Sequence, residues 1–150
     1  MVSHSKLKSI LLDKDWAAKW GYTCYSGDRK PFYLSSKCVY RPDVVWISKR
    51  GVRYVVEIPM TEDVRAVVGE FFLAYRMEAS HFDVMLNEGA KAVKLKYYLR
   101  EAWKTLLQLT KSEDNISNSP MWEPNVIGIP RRLGNDKKRI QNFLDVAWSD

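Results

Sequence analysis

Cysteine and histidine are scarce, two of each in 150 residues. Neither Cys24 nor Cys38 sits in a CxxC or has a histidine at ligand spacing, which removes the usual zinc patterns. Both read instead as buried structural thiols, the common fate of free cysteine. His4 and His81 lie far apart and no serine or cysteine motif frames them, so a Ser-His-Asp type of site has no support. No apolar run reaches the roughly eighteen residues of a membrane span. The opening MVSHSKLKSILLDKDW is charged too soon to read as a signal peptide. An intracellular, cytoplasmic protein is expected. Repeats, low-complexity tracts and long Pro/Gly/Ser linkers are also lacking, so residues 1–150 are expected to form a single domain. That length buries roughly two-thirds of the unfolded surface.

Positive charge is abundant but unevenly placed. The net charge is +6, and residues 29–53 hold seven Lys or Arg against one acid. Residues 61–90 hold two against six, and residues 91–111 six against one. Segregation of this kind suits a phosphate-tracking surface with an acidic counter-face, although a basic balance also serves solubility.

Apolar spacing predicts a first helix in SKLKSILLDKDWAAKW, ended by Gly21. PFYLSSKCVY reads as a strand, and RPDVVWISKRGVRYVVEIP, residues 41–59, as a hairpin. In TEDVRAVVGEFFLAYRMEAS, Thr61 can cap a helix, Glu62 and Asp63 suit its positive end, and Val64, Val67, Val68, Phe71, Phe72 and Tyr75 share an apolar face. HFDVML reads as a short strand, although SHFDVMLNEGAKAV would extend a helix equally well, with KAVKLKYYLREAWKTLLQL a long helix, SEDNISNSPMWEP a polar loop, NVIGIP a strand and DKKRIQNFLDVAW a closing helix. The order is α, three β, α, β, α, β, α, an α/β fold with a mixed sheet.

The hairpin turn decides which residues face each other. With KRG as a three-residue loop, Gly51 takes the left-handed position and Ser48 pairs with Val52. Counting outward, Ile47 faces Arg53, Val45 faces Val55, and Asp43 faces Glu57. A two-residue RG loop would put Asp43 opposite Ile58 instead. Directly opposed carboxylates repel, so they carry raised pKa values or a cation, and a hard ion such as Mg²⁺ or Mn²⁺ suits their oxygens. The plainer alternative pairs each acid with Arg41 or Arg53 on a solvated face.

Pro42 and Asp43, fourteen residues ahead of Glu57 at the end of an apolar strand, resemble the motif of the PD-(D/E)XK nuclease superfamily over residues 5 to 90. The resemblance implies a restriction-endonuclease-like mixed sheet flanked by helices, an α-β-β-β-α-β core here extended by a C-terminal α-β-α. It also implies that Asp43 and Glu57 hold Mg²⁺ or Mn²⁺. The family's lysine two residues beyond the Glu is replaced by Pro59. In the three-residue register Arg41 lies opposite Pro59, so its guanidinium is the candidate for the missing charge, though it cannot act as a base. An acid from the first helix often joins the metal in that family, and Asp15, ahead of Asp13, is the local choice. For either, an exposed helix charge is the alternative.

Lys96, Arg100 and Lys104 recur every four residues on the long helix and Lys111 follows, opposite Leu95, Leu99, Ala102, Leu106 and Leu109. Arg131 and Arg132 at a strand end, and the basic run at residues 137–139, extend the basic character. These side chains are candidates for contact with a phosphate backbone, or for a plain solvated face. Trp46 is placed in the core with Val44 and Tyr54. Trp122, in the polar loop, either stacks on a nucleotide or tucks onto its own domain. The expected activity is metal-dependent endonucleolytic hydrolysis of nucleic acid, DNA ahead of RNA, by a homodimer. The rival is a catalytically inactive binding or interaction domain of the same fold.

Overall fold

In the computed structural model, which describes residues 1–111 and 121–148, a mixed five-stranded sheet is flanked by helices on both faces. The sheet order is β1 (Tyr22–Tyr25), β4 (Val44–Ser48), β5 (Arg53–Glu57), β6 (His81–Asn87), β7 (Asn125–Ile129). The first three strands are antiparallel, and β5, β6 and β7 run parallel. Parallel neighbours need crossovers, and the two amphipathic stretches expected as helices supply them: α3 (Val64–Arg76) and α4 (Ala90–Lys111).

Alternation along the strands feeds two cores. Val45, Val55, Phe82 and Val84 point to the face covered by α3 and α4, against Phe71, Leu95 and Leu99. Val44, Trp46, Val56 and Met85 point to the other face. There they meet α1 (His4–Leu11), α2 (Lys14–Lys19) and α5 (Lys137–Ala147), with Leu7, Ile10, Trp16, Ile140 and Leu144. Trp46 lies in this second core as expected, donating its indole N–H to the Leu11 carbonyl at 2.8 Å.

Three local readings are corrected. The first helix is two helices, because the Asp13 carboxylate accepts the N–H groups of Asp15 and Trp16 and caps a new one. YTCY, to which the sequence reading assigns no element, is β1. PFYLSSKCVY is not one strand but a separate hairpin of β2 (Phe32–Ser35) and β3 (Cys38–Tyr40), whose turn is held by Lys37 N–H donating to Ser35 Oγ. Smaller differences follow from packing. Asp63 rather than Thr61 caps α3, Phe72 and Leu109 are exposed, Cys24 is half-buried and Cys38 exposed. Most of the polar loop expected over residues 112–124 lies outside the described residues.

Candidate functional site

The β4–β5 turn is the three-residue loop. Gly51 has φ of 83°, its N–H donates to the Ser48 carbonyl, and the Ser48 N–H donates to the Val52 carbonyl. Ile47 then faces Arg53, Val45 faces Val55 and Val44 faces Val56. The same register carried one step further brings Asp43 to Glu57. Their side chains do more than sit side by side. The Asp43 N–H donates to Glu57 Oε1 at 2.8 Å, and the Ile58 N–H donates to Asp43 Oδ2 at 2.8 Å. Neither carboxylate is held by Arg53, which donates to the Met77 carbonyl.

Five further groups gather at this end of β5. His4, in the first turn of α1, places Nε2 3.3 Å from Asp43 Oδ1. Glu70 on α3 has a buried Oε2 with no hydrogen-bond partner, and burial, followed by the charge of Asp43, pushes its carboxyl up to about 7. Tyr40 at the end of β3 is 4% exposed and its hydroxyl is likewise unpartnered. Burial first, then the charges of Glu70, Asp43 and Glu62, raise it well above the usual phenol range. Glu62 is also raised, by burial and by Asp43, while Lys91 and His4 oppose the shift. Lys91 completes the group from the first turn of α4, where its Nζ donates to the Pro59 carbonyl at 2.7 Å.

The sequence missed His4, Glu62, Glu70 and Lys91 as companions of the acid pair. In the sequence Glu62 reads equally well as a first-turn dipole partner, and nothing in linear spacing ties residue 4 or 91 to residue 57. The parallel crossover is the step that brings α4 back over Pro59.

The remaining expected residues are dispersed. Arg41 is exposed on the segment entering β4, and its charge acts with that of Lys8 on Asp28. Asp15 is exposed in the first turn of α2, in a depression shared with Asp13, Lys19 and Asp145, and is not brought to Asp43. Asp13 is spoken for. Lys137 Nζ lies 2.8 Å and Gln141 Nε2 3.0 Å from its Oδ2, and these bonds hold its carboxyl well below the usual range. Lys96 and Arg100 line a recess with Tyr54, His81 and Asp83, and Lys104 lies 3.5 Å from Glu101. Arg131 and Arg132 form a short 3₁₀ turn after β7, exposed, with the Arg131 N–H on Glu88 Oε1.

Asp43 is positioned from behind as well. The Gly27 N–H donates to the Pro42 carbonyl at 2.8 Å, and a Cβ at Gly27 would collide with the Pro42 backbone.

The oxygens available here suit a hard divalent ion. Asp43 and Glu57 each bring a carboxylate, and Glu70, whose Oε2 is buried without a hydrogen-bond partner, feels the charge of Asp43. Among the described residues no three His, Cys, Asp or Glu side chains form a metal-holding group. The protein's share would therefore be the one or two carboxylates that Mg²⁺ commonly takes, with water and phosphate completing its shell. Comparison of the chain with protein-family models, curated proteins and solved structures finds no match.

Proposed function

We propose that this protein is a restriction-endonuclease-like, Mg²⁺- or Mn²⁺-dependent nuclease that hydrolyses phosphodiester bonds, with DNA as the favoured substrate. The observation that carries the reading is the opposed pair Asp43 and Glu57 with a lysine, Lys91, delivered to Pro59. The antiparallel β1-β4-β5 meander followed by the α3 crossover to parallel β6 supports it as the α-β-β-β-α-β order of that fold.

Asp43 and Glu57 would hold the ion. When bound, such an ion lowers the pKa of its water and neutralises charge on a phosphate. Lys91 is long enough to leave the Pro59 carbonyl for a non-bridging phosphate oxygen, supplying the charge that the missing motif lysine would give. Beside it, Glu62, Arg65, Lys94 and Tyr98 line an open groove of about 660 Å³ between the starts of α3 and α4. Lys91, Lys94 and Arg65 make that groove a path for a phosphate backbone. Arg41 would act at the rim, on approaching phosphate. A homodimer would let two such sites reach both strands.

One observation favours a fold kept without chemistry: an oxygen of each acid is already occupied by a backbone N–H. The test is cleavage of supercoiled plasmid and of single- and double-stranded DNA and RNA oligonucleotides with Mg²⁺, Mn²⁺ or EDTA, comparing wild type with Glu57→Ala. Metal-dependent cutting lost in the variant supports the nuclease. Absence of cutting in every metal overturns it.

A further inference from the structure

On the opposite side of the sheet from Asp43, three rings form a column. Tyr54 of β5 and His81 of β6 face each other in register and stack at 3.9 Å with planes 7° apart. Trp122 continues the column, 6.0 Å from His81 and 13° from parallel. The column is anchored. The Trp122 N–H donates to the Ser80 carbonyl at 3.0 Å, and Trp103 Nε1 donates to the Met121 carbonyl at 2.7 Å. Yet the Trp122 side chain is 68% exposed, an expensive display of aromatic surface for a residue so firmly tethered. With one face turned to His81, its other face is open to a ligand.

These rings border a recess of about 570 Å³, the volume of a small-molecule site. Lys96 and Arg100 of α4 stand on one wall, Arg100 paired with the exposed Glu123 at 3.2 Å. Such an exposed pair is weak and yields to a phosphate that offers Arg a two-pronged partner. On the β6 wall lies Asp83, 5% exposed, whose Oδ2 accepts the Trp148 indole N–H at 3.0 Å. A buried carboxyl is rare on a sheet interior unless something polar is to be met there.

We propose that this recess is a nucleotide-binding site, in which a base stacks on Trp122 and its phosphate is held by Lys96 and Arg100. Stacking gives the affinity and is tolerant of base identity, since every base has a π-face. The Asp83 carboxyl is the polar group placed to meet the ring edges of the base or the sugar hydroxyls. The site stands on residues separate from Asp43 and Glu57 and does not depend on hydrolysis there. The nucleotide could come free or as an unpaired unit of a strand.

The test is fluorescence anisotropy with a fluorescein-labelled ten-nucleotide oligothymidylate, and displacement by AMP, in EDTA so that metal-dependent hydrolysis is off. Trp122→Ala is expected to weaken binding about tenfold and Trp122→Phe to retain most of it. Lys96→Gln is expected to weaken binding and flatten its dependence on salt. Displacement by AMP identifies a free nucleotide as sufficient, and Trp122-dependent oligonucleotide binding that AMP does not displace identifies a strand. Equal binding by wild type and Trp122→Ala, or no binding of either probe, overturns the proposal. Plasmid cutting retained alongside equal binding would sink this site alone, whereas Trp122-dependent binding without any cutting would sink the nuclease alone.

Discussion

The Glu57 carboxylate accepts the N–H of Asp43 at 2.8 Å, and the Asp43 carboxylate accepts the N–H of Ile58 at 2.8 Å, so each acid is clasped by the backbone of the opposite strand. Glu57 is 4% exposed, and truncation would strand a donor with little water to replace its partner. Glu57→Ala is therefore expected to cost about 1–3 kcal/mol in urea unfolding. Glu57→Gln keeps an acceptor and should cost less than about 1 kcal/mol while losing Mn²⁺ uptake by calorimetry. Equal destabilisation by both variants would reject the clasp.

Lys91 is expected to matter for rate and not for metal. Lys91→Met removes the ammonium and keeps most of the aliphatic stem, so hydrolysis should fall about a hundredfold, the scale of losing one transition-state donor. Mn²⁺ affinity should stay as in wild type. A variant that cuts normally would assign Lys91 to the Pro59 carbonyl alone.

Asp13 should behave as a structural residue. Asp13→Ala removes the α2 cap together with the contacts to Lys137 and Gln141, for a combined loss of about 2 kcal/mol in a thermal or urea melt. Its metal uptake should be unchanged.

Burial raises the Asp83 carboxyl from its ordinary 3.8 to about 7, against the pull of the Trp148 and Asn125 donors. A folded pKa above the unfolded one means that the native state holds the proton more tightly. The resulting penalty is absent below pH 4, grows as pH rises, and is complete above about 7. Its ceiling is about 4 kcal/mol, three pH units of differential proton binding. Asp83→Asn keeps an acceptor for Trp148, so its melting temperature should exceed that of wild type at pH 8, with the gap closing by pH 4. Parallel curves for the two proteins would reject the assignment.

Much of the candidate site was readable because the hairpin carries its own ruler: Gly51 fixes the loop, and a two-residue period does the rest out to Asp43 and Glu57. The helices α3 and α4 are legible by their spacing, whereas the parallel strand β6 between them reads equally as a helix extension until its pairing with β5 is known. Asp13 was harder to read. Helical periodicity runs straight through it, although its carboxylate turns back onto the Asp15 and Trp16 N–H groups, and its bonds to Lys137 and Gln141 come from far along the chain. YTCY is too short to display alternation before its pairing with β4 is known. Glu70 lies on the α3 crossover and Lys91 reaches the Pro59 carbonyl only once β6 has paired with β5, so spacing could not find them. Trp122 fits two roles in the sequence, because its stacking partner His81 is forty-one positions away.

Gly27 carries no functional group, yet it leaves no room between its own backbone and Pro42. Any side chain there would displace the residue from which Asp43 departs. A saturation library scored for function should thus find position 27 nearly as unforgiving as position 43, and variants that restore activity to a Gly27 substitution should cluster in the segment that leads into β4.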